Sequence, residues 1–231
     1  MITDLWYRIS GKTKEISFTT KIIVYGFVVL LFFGTTLIFI TEPLSVLGVN
    51  NSLMTSFFQA MSAMTTVGFN TITIGELSLP IILLLTFLMY IGASPSGTAG
   101  GMKITTLTAM FSVLKSRLFG QKKITFLNRI IPVERIYVAT STFMLYTTLI
   151  FLFSFLLSYT EVFSFEKLLF EVASALGTVG LSMGITSDLS NLGKLLIIVL
   201  MFIGRIGVLT FGFALLKQNK LKKYRPDDLA V

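Results

Sequence analysis

The stretches TTVGFNT, Thr65–Thr71, and GTVGLSM, Gly177–Met183, carry the tripeptide Thr-Val-Gly at two places 112 residues apart. Each follows an apolar run too short to cross a bilayer, Ser52 to Met64 in the first case and Phe165 to Leu176 in the second. Runs of that length fit a re-entrant segment, whereas a crossing helix needs about 20 residues. Laying Phe58–Gly92 over Phe170–Gly204 without a gap gives 14 identities in 35 positions. Among them are Ser62/Ser174, Thr66/Thr178, Val67/Val179, Gly68/Gly180 and Ser78/Ser190, an ordered polar set that shared apolar composition does not explain. The chain therefore contains an internal duplication.

Longer apolar runs flank each short one. Ile22–Ile40 and Ile136–Tyr159 are long enough to span, and Leu192–Leu216 reads as a third continuous span with Arg205 near its centre. Pro80–Ile91 and Ile104–Leu118 are two apolar pieces separated by GASPSGTAGG, Gly92–Gly101. The expected architecture is an all-α membrane protein of two span–pore helix–span repeats, residues 22–118 and 136–217. A broken second helix is expected in the first repeat alone. Residues 1–21, 119–135 and 218–231 are the N-terminal segment, a basic connection and the tail.

Composition agrees with that architecture. Of 231 residues, 54% are hydrophobic and 13% charged, roughly half the usual charged share; the mean hydropathy is +0.85. The absence of histidine and cysteine removes disulfides, thiol catalysis, His-based triads and most zinc or haem sites. No carboxylate lies within a long span, which also leaves no aspartate pair for intramembrane proteolysis, so an enzyme is not expected.

The net charge of +8 is partitioned rather than spread. Basic residues gather before the first span (Arg8, Lys12, Lys14, Lys21), between Lys115 and Arg135, and between Lys217 and Arg225. The connection from Glu42 to Leu79 has no Lys or Arg, and that from Tyr159 to Asn191 has Lys167 alone. This alternation is the positive-inside pattern and puts both termini and the middle connection in the cytoplasm. A nucleic-acid face would not be divided in this way. The two repeats then run in the same direction, related by an axis along the membrane normal, which suits a pore.

The chemistry is concentrated after each short helix. A helix C-terminus carries partial negative charge and favours a cation beyond it. The glycine that follows can take backbone angles closed to other residues, and so aim carbonyls inward. Rings of such carbonyls replace the hydration shell of potassium. The candidate ion-binding residues are Thr66, Val67, Gly68 and Phe69, with Thr178, Val179, Gly180 and Leu181. Neither stretch holds a carboxylate, which argues against a divalent-cation ring.

The break Gly92, Ala93, Ser94, Pro95, Ser96, Gly97, Thr98, Ala99, Gly100 and Gly101 would leave backbone unpaired in lipid. Such backbone is tolerated where it lines a water-filled path. It is a candidate gating loop, with Lys103 at its inner end. Arg205, at ~2.5–3.5 kcal/mol for a mid-span charge on insertion scales, is expected to face the protein interior. The overlay sets it opposite Ala93, so the loop's carbonyls and hydroxyls are its expected partners.

These motifs, together with GASPSGTAGGMKITT, SALGTVGLSMGIT and MFIGRIGVLTFGFALL, resemble the third and fourth repeats of the Trk/Ktr/HKT potassium transporters. The pattern is nearest to the bacterial Ktr-type membrane subunit. The resemblance covers nearly the whole chain. It implies potassium uptake across a bacterial plasma membrane through a pore of four repeats, a glycine in each filter segment (Gly68, Gly180), an intramembrane gating loop and the arginine of the last helix. It also implies a homodimer regulated by a cytosolic nucleotide-binding ring, with K⁺ as the transported ion and nucleotide only on that partner. Two repeats supply half a ring, so the missing N-terminal repeats or a second copy must complete it. A non-conducting structural subunit and a sodium-permeable relative are the alternatives.

Overall fold

The computed structural model describes residues 17–43, 52–92, 100–121 and 123–215. The described residues are mostly helical, with no closed sheet among them. Among them eight α-helices follow in order: α1 Phe18–Thr41, α2 Ser52–Met64, α3 Leu79–Tyr90, α4 Ile104–Leu118, α5 Val133–Thr160, α6 Phe165–Leu176, α7 Asn191–Ile206 and α8 Val208–Leu215. Residues 93–99, seven of the ten in the expected gating loop, lie outside the described residues, as do most of the N-terminal segment and the whole tail.

Among the described residues two helices are long and apolar enough to cross a membrane, α1 and α5, and the bent pair α7–α8 makes a third if counted as one span. At 24 residues, α1 is about 36 Å long, enough for the hydrocarbon core. It starts on Ser17, whose Oγ accepts from the Thr20 amide at 3.2 Å. The helix is apolar all round, and Val28, Val29, Phe32 and Phe33 face outward. Its inner face is narrow. A Cβ on Gly34 would stand 3.3 Å from the Ala60 Cβ of α2 and 2.9 Å from Leu88 of α3. Small residues let helix backbones approach where lipid offers no hydrophobic drive, so α1, α2 and α3 pack through van der Waals contact.

The short helices sit inside this frame. α2 packs on α1 and α3, whereas α6 packs on α3, α5 and α7. The core around α2 reaches across to Phe170, Ala173, Val179, Leu181 and Met183, so the two halves share one interior. A one-turn 3₁₀ helix, Ile74–Glu76, precedes α3, and a second, Thr186–Asp188, precedes α7 at the same 112-residue interval. Ser78 and Ser190 are the N-cap residues of α3 and α7.

The break between α3 and α4 has ordered edges. Ile91–Gly92 (β1) and Met102–Lys103 (β2) form a parallel two-residue ladder, pairing Ile91 with Met102 and Gly92 with Lys103. The chain therefore leaves the helical path and returns beside its exit point. A second pair, Thr125–Phe126 (β3) with Arg129–Ile130 (β4), is an antiparallel hairpin inside the basic connection. Its turn residues Leu127 (φ 46°) and Asn128 (φ 59°) have the left-handed backbone of a type I′ turn. The Arg129 guanidinium lies over the Phe18 ring, 5.6 Å from its centroid.

Two expectations need correction. Leu192–Leu216 is not one continuous span, because α7 and α8 meet at an angle of 99°. Gly207, at φ 96° and ψ 129°, makes the corner, a conformation essentially closed to residues with a Cβ. The helix is thus interrupted in both halves, between Tyr90 and Ile104 in one and at Gly207 in the other. Arg205 consequently lies in the last turn of α7, two residues before the corner, and not at the centre of a span.

Candidate functional site

The two Thr-Val-Gly turns begin where α2 and α6 end. Thr66 and Thr178 are non-glycine residues with positive φ, 56° and 54°, and Gly68 and Gly180 follow at 79° and 95°. Left-handed backbone at a β-branched residue costs about 1–2 kcal/mol, so the surrounding structure must hold it. The hold comes from one serine in each short helix. The Ser62 carbonyl accepts from the Val67 amide at 3.1 Å, and the Ser174 carbonyl from the Val179 amide at 2.9 Å. The hydroxyls act as well. Ser62 Oγ donates to the Phe69 carbonyl at 2.5 Å, and Ser174 Oγ accepts from the Gly180 amide at 3.2 Å.

The turns touch one another. A Cβ on Gly68 would overlap the Val179 carbonyl oxygen, whereas one on Gly180 would meet nothing within 4 Å. Val67 and Phe69 are exposed, while Val179 and Leu181 are buried at 4% and 2%.

Behind the second turn stands Glu171, 4% exposed. Its carboxylate accepts from the Ser182 hydroxyl, from the Met183 amide at 3.1 Å and from the Thr186 hydroxyl at 3.0 Å. Ser182 Oγ in turn accepts from the Gly184 amide at 2.9 Å. At the equivalent place behind the first turn is Gln59, fully buried, with neither amide atom hydrogen-bonded among the described residues.

A cavity of 610 Å³ opens on the second turn, lined by Thr178, Val179, Gly180, Glu171 and Arg205 among others. A second, of 590 Å³, is lined by Gly100, Gly101, Lys103, Tyr146, Arg205 and Gly207. Arg205 forms part of both walls. Its side chain is exposed in the chain taken by itself. The described ends of the glycine stretch are close-packed. A Cβ on Gly92 would overlap the Gly100 carbonyl oxygen, and one on Gly100 would overlap the Gly177 carbonyl oxygen at the start of the second turn. Ala93, Ser94, Pro95, Ser96, Gly97, Thr98 and Ala99, the expected partners of Arg205, lie outside the described residues.

Two carboxylates not singled out in the sequence complete the frame. Glu42, the C-cap of α1, accepts from the Ser78 amide at 2.8 Å and its hydroxyl at 2.6 Å. Glu161, the C-cap of α5, accepts from the Ser190 amide at 3.1 Å and from its hydroxyl. Each clamps the end of one helix to the positive start of another. The serines fall in the gap-free overlay, but the glutamates are seven residues out of its register, so the overlay passes over them. Glu171 opposite Gln59 is a near-isosteric pair and scores no identity.

Short helices ending in left-handed turns, set among helices long and apolar enough to cross a membrane, define a helical membrane-protein fold. Residues 7–224 match the family described as TrkH, cation transport protein, and the chain belongs to that family. It is 36% identical over 219 residues to Ktr system potassium uptake protein B of Bacillus subtilis, covering 93% of this chain and 49% of that one. It is 32% identical to the protein of the same name from Vibrio alginolyticus, covering 100% of this chain and 52% of the relative. Potassium/sodium uptake protein NtpJ of Enterococcus hirae is 35% identical over 90% of this chain and 48% of its own length. The chain spans about half the length of these curated relatives. The crystal structure of the potassium transporter TrkH from Vibrio parahaemolyticus superposes with a TM-score of 0.71 over 84% of this chain and 44% of that one, at 21% identity, a likeness of fold.

Proposed function

We propose that the chain supplies two of the filter segments of a potassium-uptake pore in the bacterial plasma membrane, as two parallel span–pore helix–span repeats with both termini cytoplasmic. One observation carries the reading: each Thr-Val-Gly turn has left-handed backbone at Thr and again at Gly, at the C-terminal end of a short helix. Reversing the backbone at alternate residues turns successive carbonyls to one side, where an extended strand would point them to opposite sides. Carbonyls of Thr66, Val67 and Gly68, with those of Thr178, Val179 and Gly180, would then take over the hydration shell of K⁺, and the negative ends of α2 and α6 would favour its charge. Phe69 contributes differently, because its carbonyl is already engaged by Ser62. Leu181, buried, packs the second segment from behind.

Gly92–Gly101 and Lys103 are the gate in this reading, supported by Gly100, which packs beside Gly177 at the start of the second turn and lines one cavity with Lys103 and Arg205. The remaining segments of the ring come from further N-terminal repeats or a second copy, and the working assembly is a homodimer on a cytosolic nucleotide-binding ring. The names of the relatives, potassium uptake and potassium/sodium uptake, support the cargo. The test is K⁺ and Na⁺ flux, recorded with membrane potential, in vesicles holding the complete assembly. K⁺ flux exceeding Na⁺ flux is expected. Equal fluxes would make it a sodium-permeable relative, and none would make the chain structural.

A further inference from the structure

We infer that Glu171 is a specificity-positioning residue, its charged carboxylate fixed behind the second Thr-Val-Gly turn so that this turn binds a dehydrated monovalent cation more tightly than the first. The inference rests on the pore reading above and adds to it a charge that lies outside both tripeptides.

Three observations meet here. Burial raises the carboxyl's pKa, and three donors, the Ser182 hydroxyl, the Met183 amide and the Thr186 hydroxyl, oppose it by favouring the charged form. All three donors belong to the segment directly after the turn, so the bonds fix the outer edge of Gly180–Leu181. Glu171 is also among the residues lining the cavity onto which Thr178, Val179 and Gly180 open, as is Arg205. A charge held in a water-poor site acts on a nearby cation far more strongly than one in bulk water. The first turn has no such device. Gln59 takes the equivalent position, uncharged and without a hydrogen bond among the described residues. In place of Ser182, Met183 and Thr186, that half has Asn70, Thr71 and Ile74. The chain thus uses both side chains at one structural position, which shows that a glutamine is sterically acceptable there.

The test uses the complete assembly in vesicles and follows ⁸⁶Rb⁺ uptake against external Rb⁺ and K⁺. Glu171→Gln should raise the apparent KM for both ions about tenfold, with maximal rate and assembly yield near wild type, since it removes charge and keeps size. The double variant Ser182→Ala, Thr186→Val keeps the charge but frees the edge, and should shift the Rb⁺/K⁺ preference with a smaller change in KM. An unchanged KM and preference in both variants overturns the inference while leaving the pore reading intact, and so does a loss confined to yield and maximal rate. If Glu171→Gln does not assemble, the double variant decides by the same criterion. Wild-type vesicles without cation flux sink the pore reading, and this inference falls with it.

Discussion

The two Thr-Val-Gly turns are alike in backbone and unlike in support. Both have left-handed Thr and Gly, and both hang from a serine four residues before the threonine. Behind the second stands a carboxylate with three donors. Behind the first stands a buried amide with none among the described residues. Packing differs too, since Gly68 is pressed against the Val179 carbonyl and Gly180 opens onto free space. A shared local conformation therefore does not require shared stabilisation. The backbone pattern is what recurs, and each half meets its cost with its own neighbours.

Substitutions at the two glycines should break the comparison most visibly. Gly68→Ala meets both a left-handed backbone and a carbonyl oxygen, so Rb⁺ uptake by the complete assembly should fall at least 100-fold with loss of thermal stability. Gly180→Ala meets the backbone penalty alone, ~1–2 kcal/mol, and should still assemble with weakened K⁺/Na⁺ discrimination. Equal loss of assembly in both would mean that contact with Val179 is unimportant.

Next in size is the corner of the last helix. Gly207→Ala should destabilise the protein by roughly 1–3 kcal/mol, read as a lowered Tm, because φ 96° with ψ 129° excludes a Cβ at low cost. A neutral result would mean that α7 and α8 run straight in the assembled protein.

The carboxylate clamps sharpen the contrast at the outer frame. Glu42 is 5% exposed and Glu161 is only half-buried. Removing the buried Glu42 (Glu42→Ala) leaves the half-buried Ser78 amide and hydroxyl without their acceptor and should cost about 2 kcal/mol, whereas Glu161→Ala should cost about 1 kcal/mol. Thermal unfolding in detergent separates the two. The serine braces give the smallest effects. Ser174→Ala removes the acceptor of the Gly180 amide and should cost about 1 kcal/mol, while Ser62→Ala frees only a carbonyl and should cost about 0.5 kcal/mol. A larger loss at Ser62 would reverse the ranking of the two turns.

Much of the scaffold was legible without coordinates because its signals are local. The short helices were bounded by run length, and their observed limits, Ser52–Met64 and Phe165–Leu176, coincide with the apolar runs. Ser78 and Ser190 recur as N-caps, and Pro80 in the first turn of α3 sits where no helical donor is needed. The glycines of the last helix were not legible. Gly204 stays helical, and a Cβ there would overlap the Leu176 carbonyl oxygen, so it serves close packing. Gly207, three residues later, breaks the helix. Both read as glycine in an apolar run.

What the sequence by itself determined is the apolar length of the helices, the duplication, and the limits of the two short helices, all set by neighbours within a few residues. Only the tertiary structure decided which glycine turns the chain, where Arg205 ends up, and which carboxylate meets which donor. Glu42 reaches Ser78 across 36 positions and Glu171 reaches Thr186 across 15. A buried charge is stable only where donors converge on it, and that convergence comes from how the helices pack.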